Sequence, residues 1–140
     1  TTKLTTGLVI VAYQANPICA GVLHLVMPES KIVSVVDNPL KYADTAIPEF
    51  LTKLEDSEFS LEKGIFLIIG GSQLFNFGGT TGNVLNVGLR NVIVSQAVLA
   101  KHHCNVVRTD TGGNRPRTVT VHLNNFNIGI EVPGQPIRQL

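Results

Sequence analysis

The side chains able to do more than pack are few: four histidines, two cysteines and a small group of arginines. His24 stands in the apolar stretch Thr5–Met27, where two β-branched-rich runs, Leu8–Tyr13 and Ile18–Met27, flank the polar turn Gln14-Ala15-Asn16-Pro17. That pattern predicts a β-hairpin. With Ala15 and Asn16 at the turn centre, His24 falls opposite Gly7, so an imidazole sits beside the start of the first strand and any chemistry is expected there. A thiol paired with an imidazole would be a nucleophile, because the base lowers the thiol pKa. Cys19 does not qualify: it lies five residues from His24 on the same strand, roughly 16 Å away at the usual rise. The odd separation also turns the two side chains to opposite faces, so Cys19 reads as a buried small hydrophobe.

Two other groups suggest chemistry and lose it on inspection. His102-His103-Cys104 invites a metal, but adjacent residues do not share a helix face and no second ligand pair stands at zinc spacing. The segment reads instead as a helix C-terminus carrying favourable cations, and no metal or cofactor is expected. Asn76–Gly82 is glycine-rich but lacks a Gly-Lys-Ser/Thr ending and the GxGxxG spacing of a phosphate cradle, so it reads as a plain loop. Arg108, Arg115 and Arg117 gather beside the Gly112-Gly113 turn, either as a solvated loop or as a docking surface for an acidic partner.

The elements that must position these residues follow from periodicity. Tyr42–Leu54 predicts a helix with Ala46, Ile47, Phe50, Leu51 and Leu54 on its buried face, Asp44 as N-cap and Pro48 near the first turn. Lys31–Pro39 connects, with Ile32–Val36 a possible short edge strand, and Glu55–Lys63 is polar surface. Ile65–Ile69 is a fully buried strand closed by Gly70-Gly71. Asn86 caps a second helix from about Val87 to His102, with Leu89, Ile93, Ala97 and Ala100 on the buried stripe. Three more strands follow, Asn105–Thr109, Thr118–Leu123 and Asn127–Val132, the last two joined by a turn at Asn124-Asn125. The tail Pro133–Leu140 is expected to be loose. About six strands and two main helices, mostly joined by hairpins, argue an α+β layered sandwich rather than a doubly wound fold.

Composition sets the outer bounds. The 140 residues suffice for one domain, and 44% apolar against 15% charged describes a globular chain. A net charge of +1 supplies no field for nucleic acid or an anionic membrane. No run reaches the length of a bilayer span and no charged-then-apolar leader opens the sequence. The start at Thr1-Thr2 without Met suggests a processed or trimmed chain. Two cysteines make no disulfide framework, which fits a cytoplasmic setting.

Five stretches in order resemble the CheD family, the chemoreceptor glutamine deamidases of bacterial and archaeal chemotaxis. They are Gly21–Pro28 (GVLHLVMP), Lys41–Pro48 (KYADTAIP), Gly70–Phe75 (GGSQLF), Val87–Asn91 (VGLRN) and Asp110–Arg115 (DTGGNR). The resemblance covers nearly the whole chain and implies an α/β sandwich related to deamidating toxins. In that family a cysteine thiolate attacks a receptor glutamine carboxamide, a histidine takes the thiol proton, and a threonine orients the histidine. His24 matches the histidine and Thr1 falls at the threonine. The family's Gly-Ser-Cys corresponds here to Thr5-Thr6-Gly7, so the nucleophile position holds glycine. A side-chain-free position 7 cannot attack, and the resemblance then implies a cleft widened at Gly7. Thr6 faces the wrong way, Thr5 is displaced along the strand, and a free Thr1 amine–hydroxyl pair is the remaining exotic nucleophile.

The resulting expectation is a CheD-like protein that binds chemoreceptor cytoplasmic segments or a CheC-type partner without deamidating. Its docking cleft would comprise Gly7 and His24 with Gly112, Gly113, Arg115 and Arg117. Two other readings stand beside it. One is an active glutamine deamidase with a different nucleophile. The other is a structural or regulatory domain that has left chemotaxis.

Overall fold

In the computed structural model, which describes residues 1–32, 35–73 and 86–140, a short strand, Thr2–Leu4 (β1), precedes the expected hairpin of Leu8–Ala15 (β2) and Ile18–Leu25 (β3). Helix Ala43–Glu55 (α1), strand Ile65–Gly70 (β4) and helix Val87–Lys101 (α2) follow. Strands Asn105–Thr111 (β5), Arg117–His122 (β6), Asn127–Glu131 (β7) and Arg138–Gln139 (β8) complete the chain. One sheet has the order β3-β2-β4-β5, with only β4 and β5 parallel; the other has the order β1-β6-β7-β8 and is antiparallel throughout.

Burial explains the layering. Leu8, Ile10, Ala12, Phe66 and Ile68 of β2 and β4 pack against Ala46, Ile47, Phe50, Leu51 and Leu54 of α1. The alternate residues Val9, Val11, Leu67 and Ile69 pack against Leu4, Val119, Ile128 and Ile130 of the second sheet. A sheet covered on both faces needs apolar side chains at every position, which is why β2 and β4 are unbroken hydrophobic runs. Helices, first sheet and second sheet thus form three layers, the α+β layered fold expected. The described residues hold eight strands, not six; β1 and β8 are too short to carry a period.

Several boundaries differ from expectation for physical reasons. The hairpin turns at Asn16-Pro17, whose peptide bond is cis, and Ala15 pairs with Ile18. His24 therefore lies across from Val9, not Gly7. In α1 the predicted face is buried, but Asp44 is not the N-cap. Tyr42 holds that position without a side-chain bond. The Asp44 carboxylate instead accepts from Ser30 N–H at 2.9 Å and Ser30 Oγ at 2.9 Å, fastening the segment after β3 to the helix start, where the dipole favours an anion. Pro48 is the sixth residue of the helix, in its second turn rather than its first.

Asn86 caps α2 as expected, its side chain accepting from Leu89 N–H at 2.9 Å. The buried stripe is not the predicted one: Gly88, Asn91, Val92, Ser95 and Leu99 face inward, while Leu89, Ile93, Ala97 and Ala100 are exposed. Ser30–Ile32 is a 3-10 turn, and Val35 and Val36 are exposed outside any strand. Residues 33 and 34 of the possible edge strand, and the whole glycine-rich Asn76–Gly82 stretch, lie outside the described residues. In the tail, Arg138 pairs with Ile130 and Leu140 N–H donates to the Ile128 carbonyl at 2.9 Å.

Candidate functional site

The segment entering β2 and the segment leaving β3 meet at the rim of the two sheets. Val9 faces the second sheet, so its partner His24 does too. On the facing strand β1, Leu4 is buried, so Thr2, two residues before it, points the same way. Thr2 Oγ1 lies 3.3 Å from His24 Nδ1. Thr1, with opposite parity, hydrogen-bonds Thr120 Oγ1 at 3.0 Å. The histidine's hydroxyl partner is thus Thr2, although Thr1 was expected. Strand alternation decides this, and β1 could not be phased from three residues.

The other ring nitrogen faces Gly7. A Cβ at Gly7 would lie 3.3 Å from His24 Nε2 and 2.6 Å from the Leu25 carbonyl oxygen. Gly7 and His24 are therefore brought together, but diagonally across the hairpin rather than as a direct pair. The space expected in place of a side chain is not open, because the Leu25 carbonyl closes it. Beside the imidazole, a cavity of about 290 Å³ runs between the sheets, lined by Thr1, Thr2, Val22, His24, Val119 and Val121 among others. Desolvation among these groups holds the His24 pKa below the ordinary histidine value. Thr2 Oγ1 thus occupies Nδ1, and Nε2 is the ring nitrogen directed at residue 7.

The depressed His24 pKa has a consequence for stability. The unfolded chain takes up the proton first, so the stabilisation is complete above the unfolded histidine pKa and is lost as pH falls through the folded value. Urea midpoints measured from about pH 7.5 to about pH 5 should fall more steeply for the native chain than for His24→Gln. Parallel slopes would mean that the ring is not desolvated.

Neither thiol reaches the imidazole. Cys19 pairs with Gln14 and packs against the helix-side core, on the opposite face from His24, as its parity predicted. Cys104 follows the C-terminus of α2, and burial, with a smaller push from Glu55, raises its thiol to about 11. At that pKa it is a protonated, inert thiol. No group of three or more His, Cys, Asp or Glu side chains gathers among the described residues.

Asn91 is a site residue that periodicity did not single out. Its fully buried amide donates to the Thr6 carbonyl at 2.9 Å and the Val26 carbonyl at 3.0 Å. It clamps together the two backbone segments that carry Gly7 and His24. The available signal was the Gly-Leu-Arg-Asn run itself. Beside it, Arg90 pairs with Glu29, which Lys31 also contacts at 2.7 Å.

The Gly112–Arg117 loop lies at the same end of the first sheet: Gly112 N–H donates to the Gly70 carbonyl at 3.0 Å, and Gly71 N–H to the Gly7 carbonyl at 2.9 Å. Its cavity of about 310 Å³ shares no lining residue with the one at His24, so the expected single cleft is two. Arg117 is not a free docking cation. It is 9% exposed, with Nε on Asp110 Oδ1 at 2.9 Å and Nη1 donating to Ser72 Oγ at 2.7 Å and Gly112 O at 2.8 Å. Arg115 reaches the Pro133 carbonyl at 3.3 Å. Arg108 lies away from both, lining a cavity with Leu67 and Phe126.

No helix among the described residues is long and apolar enough to cross a membrane. The family model described as CheD chemotactic sensory transduction matches residues 26–132. A protein of Clostridium acetobutylicum named "Probable chemoreceptor glutamine deamidase CheD" is 31% identical over 131 residues, 94% of this chain and 78% of the relative. Relatives with the same name in Methanococcus vannielii, 33% identical with 92% and 81% covered, and Geobacillus kaustophilus, 32% identical with 94% and 80% covered, are similar over the same extent.

Proposed function

Because this chain belongs to the CheD family of chemotactic sensory transduction, we propose that it acts there by binding a chemoreceptor cytoplasmic segment or a CheC-type protein, without deamidating glutamine. The carrying observation is the pairing of a base with no nucleophile. His24 Nε2 faces Gly7, the position that the sequence resemblance assigns to the family's catalytic cysteine, and glycine offers no attacking atom. The orientation of Cys19 and the raised pKa of Cys104 weigh against a replacement thiol. A threonine hydroxyl in this setting is far less ionised than a thiol and needs an aligned base. Thr2, the one seen at the imidazole, meets Nδ1 rather than the nitrogen facing residue 7.

The retained groove between the sheets supports binding. Valines from both sheets form its walls, and the hydroxyl–imidazole pair at one end supplies the polar contacts that a carboxamide side chain needs. A glutamine-bearing segment can still place its amide there. Titrating the chain with a fluorescently labelled receptor cytoplasmic fragment tests this. His24→Ala should weaken binding by about tenfold, as loss of a polar anchor in a small site does. Unchanged affinity would remove this groove as the contact.

A further inference from the structure

The second cavity has its own chemistry. Gly112, Gly113, Asn114 and the turn residue Gln135 frame it, and three arginines line it, Arg115, Arg117 and Arg138. One carboxylate sits beneath them: Asp110 accepts from Arg117 at 2.9 Å and from Arg138 at 2.7 Å. Among the described residues no carboxylate lines the cavity itself. Residues 74–85 carry no ionisable side chain. Three cations against one anion leave this concavity positive in a chain whose net charge is only +1.

The geometry is also open where a ligand would enter. Gly112 and Gly113 both take φ of +76°, and a Cβ at Gly112 would meet nothing within 4 Å among the described residues. The turn presents bare backbone, which permits close approach of a ligand. Arg117 is fixed by Asp110, Ser72 and Gly112 and forms an immobile floor. Arg138, with its side chain 48% exposed, and Arg115, bonded only to a carbonyl among the described residues, are adjustable arms at the rim. A guanidinium fork matches the planar, two-oxygen face of a carboxylate or phosphate.

We propose that this cavity binds an oxyanion, a carboxylate or phosphate group, with Arg115 and Arg138 as the contacting residues and Arg117 as their fixed support. The inference goes beyond the binding reading above by assigning ligand chemistry to a separate cavity. It draws in Arg138 from a tail that sequence reasoning had set aside.

The test titrates the native chain with inorganic phosphate, and separately with a glutamate-rich peptide, at ionic strength held constant with chloride. Amide NMR signals of Gly112 and Gly113 are the readout. Saturable shifts are expected, weakened at least about tenfold in the Arg115→Gln/Arg138→Gln double variant, since charge-assisted guanidinium bonds supply the affinity. The double variant should stay folded with a thermal midpoint close to the native one, because neither side chain is buried. A response to phosphate alone marks a free-anion site, and a response to the peptide alone marks an acidic protein segment; both uphold the proposal. Flat titrations with both probes, or a double variant that titrates like the native chain, overturn it. Neither probe contains a receptor, so the result is independent of binding at His24.

Discussion

Arg117→Ala is expected to cost about 3 kcal/mol of stability, because removing one member of a buried ion pair strands the other's charge and its hydrogen-bonding groups. The guanidinium is the hub of the loop end of the first sheet, bonding Asp110, Ser72 and the Gly112 carbonyl at once. Asp110 retains Arg138 after the change, which keeps the loss at the lower end of the range for broken buried pairs. Arg138→Ala is the contrasting case: that half-exposed side chain should cost no more than about 1 kcal/mol. Urea denaturation of the two variants beside the native chain decides the matter. Equal small losses would mean that the Arg117 network is solvated.

Gly7→Cys should also destabilise the fold, by about 1–3 kcal/mol, the usual cost of forcing atoms into a filled space. The new Cβ would stand 2.6 Å from the Leu25 carbonyl oxygen, a backbone atom that cannot simply rotate away. It would also lie 3.3 Å from His24 Nε2, so the thiol enters beside the base that could ionise it. The hairpin closes tightly on this glycine, and adding a side chain requires the end of β3 to give. A denaturation midpoint unchanged by Gly7→Cys would show that the Leu25 carbonyl retreats freely and that the site accommodates a cysteine.

Much of the layering was legible because burial writes itself into the chain where one pattern dominates. Two-sided burial made β2 and β4 continuous apolar runs, and one-sided burial gave α1 a clean stripe. Where several patterns fit equally, the sequence could not choose. In α2, Val92, Ile93, Val94, Ala97, Val98, Leu99 and Ala100 place apolar groups on nearly every side, so periodicity could not phase the helix. The face that turns inward carries polar Asn91 and Ser95, which no hydrophobic template selects. The hairpin was evident, but its register depended on one turn, and moving the centre to Asn16-Pro17 shifted the partner of His24 from Gly7 to Val9.

At the site, the approach of Gly7 and His24 was expected from a hairpin register that differs from the one observed, and it survives only as a diagonal contact. The exchange of Thr1 for Thr2 was not, because it follows from how β1 pairs with a strand more than a hundred residues away. Arg117 looked like surface charge because its partners, Ser72 and Asp110, come from other parts of the chain and converge only in three dimensions. Asp44 looked like a helix cap for the same reason: its bond to Ser30 is made across a loop rather than along the helix.

The most direct test of binding without deamidation is mass spectrometry of receptor cytoplasmic fragments after incubation with the native chain, with a catalytically intact family member as the positive control. Glutamine residues that stay glutamine in the presence of the native chain, while the control converts them to glutamate, are the predicted result. Conversion by the native chain would contradict the account and show that a group other than a residue-7 side chain attacks the carboxamide.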